Sequence, residues 1–120
     1  MRPSSFPLLG LVALCALSTC GADATTPDEL PWLRDLIRRL EAEPARNPPA
    51  VIVEYDYKGE LVYYLPPACC DIPSDLYDRK GALICHPDGG FTGHGDGRCP
   101  GFLTERSNAR VIWCDARGDG

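Results

Sequence analysis

Long hydrophobic runs are the first thing this 120-residue sequence lacks. Its longest apolar stretch, Phe6 to Leu17, is broken by Pro7 and Gly10 and falls short of the ~20 residues that a spanning helix needs. Basic clusters are missing as well. The 12 Lys and Arg are scattered among 17 Asp and Glu, which argues against nucleic acid as a partner and against an electrostatic grip on anionic lipid. There are two histidines and no C-x-x-C, H-E-x-x-H, G-x-S-x-G or P-loop, so the usual signatures of zinc, hydrolytic and nucleotide chemistry are absent. What is plentiful is glycine (12), proline (12) and cysteine (7). Cys69, Cys70, Cys85 and Cys99 fall within 31 residues threaded by glycine and aspartate. Hydrophobic burial alone cannot fold such a segment, and cross-linking places the protein outside the reducing cytosol.

The N-terminus supports export. Met1-Arg2 followed by Phe6–Leu17 has the charge and length of a signal peptide, expected over residues 1–19. Leu17-Ser18-Thr19-Cys20 resembles a bacterial lipobox, with Thr19 where a smaller residue is usual, and makes Cys20 the candidate lipid-attachment site. The partner this implies is the membrane, reached through a lipid on Cys20. The alternative is cleavage after Ala22-Asp23-Ala24, which would release a soluble secreted protein. Residues 20–27 read as a tether, 28–115 as one small cysteine-rich domain and 116–120 as a disordered tail. All 17 acids and 11 of the 12 basic residues lie beyond residue 20, so the domain is acidic. A core this small needs staples.

The expected fold class is α+β: one N-terminal amphipathic helix packed on a small antiparallel sheet, followed by a disulfide-stapled, Gly-rich loop region. Residues 28–43 read as the helix, capped by Thr26 or Asp28, with Leu33, Leu36, Ile37 and Leu40 on one stripe. Asp35 is spaced to pair with Arg39. Val51 to Leu65 reads as a hairpin with a three-residue loop, Tyr57-Lys58-Gly59, that pairs Asp56 with Glu60. That register keeps Val51, Val53 and Tyr55 with Leu61, Tyr63 and Leu65 on one face, and puts Ile52, the acids, Val62 and Tyr64 on the other. The helix is expected over Val53, Tyr55 and Tyr63. Tyr77–Ile84 reads as a second hairpin turning at Gly81, Gly89–Gly97 as a loop, and Val111-Ile112-Trp113 as a last strand with Trp113 in the core.

Several motifs carry a resemblance: Pro31-Trp32-Leu33, Val62-Tyr63-Tyr64, Cys69-Cys70-Asp71, Leu76-Tyr77-Asp78, Cys85-His86-Pro87-Asp88-Gly89-Gly90 and Gly95-Asp96-Gly97-Arg98-Cys99-Pro100. Together, from about Leu30 to Trp113, they resemble a family of small exported bacterial domains, usually lipoproteins, known only as a domain of unknown function. The resemblance implies a cell-envelope setting, periplasmic or outer surface, and a compact cysteine-stapled domain, but no activity. It also implies four shared cysteines, Cys69, Cys70, Cys85 and Cys99, with Cys114 the odd one out. Four cysteines allow three connectivities. Direct Cys69–Cys70 bonding is discounted as a strained ring, which leaves two pairings. Cys70–Cys85 with Cys69–Cys99 is the preferred one.

Three functional readings follow. The braced glycine loop could present Phe91, His94, Asp96 and Arg98 to an extracytoplasmic protein or glycan, with Val62 and Tyr64 on the outer hairpin face as a second surface. Zinc could use Cys69, Cys70, Cys85, His86, His94 and Cys99, or calcium Asp88 and Asp96, but neither has a recognised ligand spacing. A small hydrolytic domain could use His86 or His94 with a nearby Asp. The binding module is the preferred reading, with no catalytic residue, metal or cofactor expected.

Overall fold

The computed structural model describes residues 25–69 and 71–117. After a 3-10 turn at Pro27–Glu29, the elements in chain order are α1 (Pro31–Ala42), β1 (Val51–Tyr57), β2 (Glu60–Leu65), β3 (Asp75–Tyr77), β4 (Leu83–Cys85), α2 (Phe102–Glu105) and β5 (Ser107–Cys114). The strands form one sheet in the order β4-β3-β2-β1-β5, and every neighbouring pair is antiparallel. This corrects the expected α+β arrangement. The described residues form mostly a five-stranded antiparallel sheet with two short helices, and the cysteine region contributes strands rather than loop alone. The hairpin expected at residues 77–84 is β3–β4, turning at Gly81 (φ 90°), and the last strand contains Val111, Ile112 and Trp113. What brevity and register shifts hid is that all of them join one sheet with the central hairpin.

The central hairpin also turns differently. Tyr57 pairs with Glu60, so the loop is two residues, Lys58-Gly59, both at positive φ (53° and 81°). That is the type I′ geometry favoured between twisted strands. The one-residue change of register swaps the faces. Ile52 and Glu54 now lie beside Leu61, Tyr63 and Leu65, while Val53, Tyr55 and Tyr57 join Val62 and Tyr64. A face mixing acids with Leu61 and Tyr63 is tolerated because the acids are bonded, as described below.

Two apolar clusters result. One holds Leu33, Leu36, Ile37 and Leu40 of α1 with Ala50, Ile52, Tyr63 and Leu65, and Trp32 and Trp113 pack at its edge. The second holds Tyr57, Val62, Tyr64, Leu76, Cys85, Cys99 and Phe102. Val62 and Tyr64 are therefore buried and form no outer surface. Helix α1 starts at Pro31, the position where a missing N–H is harmless, and neither Thr26 nor Asp28 caps it. Within it Asp35 pairs with Arg38 rather than with Arg39. At its other end the Arg117 guanidinium donates to the carbonyls of Leu40, Glu41 and Glu43. It is held there by Asp115, whose carboxyl is lowered to about 2 by the bonds it accepts from the Arg117 side chain and backbone N–H. Gly81 is required for space: a Cβ there would sit 2.6 Å from the Trp32 ring, whose indole N–H donates to the Arg79 carbonyl.

Candidate functional site

The segment after β4 is short of apolar side chains, so its shape is set by backbone bonds and one cross-link. Cys85, buried at the end of β4, is disulfide-bonded to Cys99 across 14 residues. This replaces the preferred pairing of Cys85 with Cys70 and of Cys99 with Cys69. Cys69 is itself disulfide-bonded, and Cys114 is free and exposed. Cys20 and Cys70 lie outside the described residues. The pairing was not legible because β4 stops at Cys85 and the glycine loop doubles back to it, a path that cysteine spacing does not encode.

Within the brace the loop is tied to itself. Asp96 N–H donates to the His86 carbonyl and Gly95 N–H to that of Gly89. The Asp96 carboxylate accepts the backbone N–H of Arg98 and of His86 (3.0 and 3.1 Å). These bonds, the one from Arg98 foremost, hold its carboxyl below the usual range. Gly95 (φ +65°) has no room for a side chain, because a Cβ would fall on the His86 carbonyl oxygen. Ser74 fastens the loop to the sheet edge. Its N–H and Oγ both donate to the Asp88 carbonyl, and its Oγ accepts from Asp88 N–H.

The four sequence-predicted loop residues therefore have different jobs. Asp96 is a structural acceptor. Arg98 lies 4.0 Å from its carboxylate and remains largely exposed. Phe91 is 91% exposed, an unusual position for a large apolar ring on a fastened loop. His94 lines a cavity of about 290 Å³ with Pro87, Asp88, Gly93, Gly97, Pro100 and Leu103. Under this cavity Tyr64 hydroxyl donates to the Asp88 carboxylate at 2.8 Å, and burial together with that negative charge pushes the phenol well above its usual range.

His86 faces elsewhere. Its Nδ1 is 2.7 Å from the Ser74 carbonyl and 3.0 Å from the Asp75 carboxylate, both acceptors, so Nδ1 carries the proton. A carboxylate–imidazole pair of this kind orients a general base. The adjacent hydroxyl of Ser74 is turned to the Asp88 backbone instead. Among the described residues, no group of three or more His, Cys, Asp or Glu is placed to hold a metal ion. Cys85 and Cys99 are spent in their disulfide.

Sequence reasoning missed a second polar centre. Glu54, fully buried, accepts from Tyr63 hydroxyl (2.8 Å) and Arg110 Nε (2.7 Å). Thr25 and Arg79 complete the network around the Tyr63 oxygen. Burial raises the Glu54 carboxyl, but the bonds from Thr25, Arg110 and Tyr63 outweigh it and leave it below its ordinary value. The available signal was Arg110, a lone cation in the last strand spaced to meet the acids of β1. The neighbouring hollow, about 550 Å³, is lined by Asp56, Asn108 and Arg110, whose polar atoms already bond one another.

Residues 38–115 match the family model described as a domain of unknown function, DUF6970. No curated protein matches the chain, and no solved structure does.

Proposed function

We propose that this chain, which belongs to the DUF6970 family, is an exported cell-envelope module, lipid-anchored through Cys20, that binds a protein or glycan partner through its braced glycine loop. The supporting observation is the exposure of Phe91 on a segment closed by Cys85–Cys99 and pinned by Asp96. A fastened loop loses little conformational freedom on binding, so its apolar and cationic side chains act as preorganised anchors. Thr25 is buried against Tyr63 and Glu54. With Cys20 anchored, five peptide units separate lipid from domain and span at most ~18 Å. The domain would then sit close against the membrane surface.

The test is capture from envelope extracts of the producing cells. Replacing Phe91, His94 and Arg98 together by alanine is expected to abolish a partner that the parent protein retains. Unchanged capture by a folded triple variant would remove the loop from the account.

The Asp75–His86 pair supports a second reading, a small hydrolytic site using His86. A His86→Gln variant that folds normally yet loses a cellular phenotype retained by the triple loop variant would favour it over binding.

A further inference from the structure

We infer that the cavity between residues 93–97 and α2 receives an alkylammonium group, the side chain of a lysine on a partner polypeptide. The inference rests on the loop being a binding surface and assigns the chemistry of what it takes. Its walls are the apolar faces of Pro87, Pro100 and Leu103, and the glycines at 93 and 97 leave its mouth uncovered. A Cβ at either glycine would meet nothing within 4 Å, so no packed side chain closes the opening.

The one carboxylate on this lining, Asp88, lacks a counter-charge. Glu54 and Asp115 face arginines, and Asp75 faces an imidazole. The Asp88 carboxylate instead meets the Tyr64 hydroxyl, and among the described residues it forms no ion pair. A half-buried carboxylate supported only by a phenol gains from a cation that brings its own apolar stem. Its volume, about 290 Å³, is at the small end for ligand sites and suits one side chain rather than a whole metabolite. Lysine fits better than arginine. Both Asp88 oxygens already lie within 3.0 Å of Tyr64 hydroxyl, which obstructs the two-pronged approach of a guanidinium but leaves room for a point-like ammonium. The acidic balance of the chain, net −5, favours approach of a cationic segment.

The test is a titration of the disulfide-intact protein, followed by amide NMR, with acetyl-Gly-Lys-Gly-amide. Two parallel probes are the same peptide carrying norleucine, and cadaverine. Saturable shifts at Gly93, His94, Gly97 and Leu103 are expected, with the norleucine peptide about tenfold weaker, the loss of one charge-assisted bond. Asp88→Asn keeps an acceptor for Tyr64 and is expected to lower lysine affinity to the norleucine level. Equal binding of lysine and norleucine peptides, or no shifts at these four amides, overturns the inference. Cadaverine binding more tightly than the lysine peptide overturns the polypeptide source. The two proposals fail separately. Loss of partner capture in the triple variant with no lysine binding removes this inference alone, whereas capture that survives the triple variant removes the broader reading.

Discussion

Glu54 shows how one residue decides the character of this sheet. A carboxylate with no solvent exposure is costly unless its oxygens are filled and its charge is paired. Tyr63, Thr25 and Arg110 do both. Removing the cation while keeping the stem should therefore cost more than an average surface change: Arg110→Met is expected to destabilise the fold by about 2–4 kcal/mol, measured by urea unfolding. A loss below ~0.5 kcal/mol would mean that the pair is no more than a surface ion pair. Lys58 offers the opposite case. It holds φ 53° in the type I′ turn, where asparagine is at ease and lysine is not. Lys58→Asn should stabilise the protein by roughly 0.5–1 kcal/mol, and a destabilisation would contradict the two-residue turn.

At the level of elements, the cysteine region works as a frame. A disulfide closing about 15 residues is worth ~3 kcal/mol in the chain-entropy model. Replacing Cys85 and Cys99 together by serine should lower stability by that order and speed amide exchange at Gly95 and Asp96. Exchange that stays slow would show that the backbone bonds suffice without the cross-link. What was legible in the sequence follows the same physics. The stripe Leu33–Leu36–Ile37–Leu40 announced α1 because a 3.6-residue period repeated over two turns has no other reading. The hairpin's strands were legible, but its register was not. Alternation favoured segregating the acids, whereas Arg110, 56 residues away, made a mixed face stable. β3 and β4 were legible as a hairpin turning at Gly81, but their pairing onto β2 was not, because three residues carry almost no periodicity. Of the loop, its limits and the exposure of Phe91 could be read locally. The burial of Val62 and Tyr64 could not, since Phe102 reaches them from across the brace.

For the whole molecule, carboxylates held by arginine tie stability to pH. Glu54 and Asp115 both titrate below their ordinary values of 4.5 and 3.8 when folded, Asp115 at about 2. The unfolded chain therefore binds more protons in acid. Their contribution is complete above the unfolded values and is lost as pH falls from about 5 towards 2. Thermal melts should be flat from pH 8 to about 5 and fall steeply below pH 4, and Arg117→Met should make that acid limb shallower. A melting temperature unchanged down to pH 2.5 would contradict this assignment. The same molecule carries several exposed large apolar residues, Phe91, Leu83 and Val111 among them, and of these three Phe91 alone lies within the Cys85–Cys99 brace. The most direct measurement is photo-crosslinking in living producing cells, with a benzophenone amino acid placed at position 91, 83 or 111 in turn. A discrete adduct from position 91 alone is the result expected of a braced binding loop. No adduct at 91, or the same adduct from 83 and 111, would contradict it.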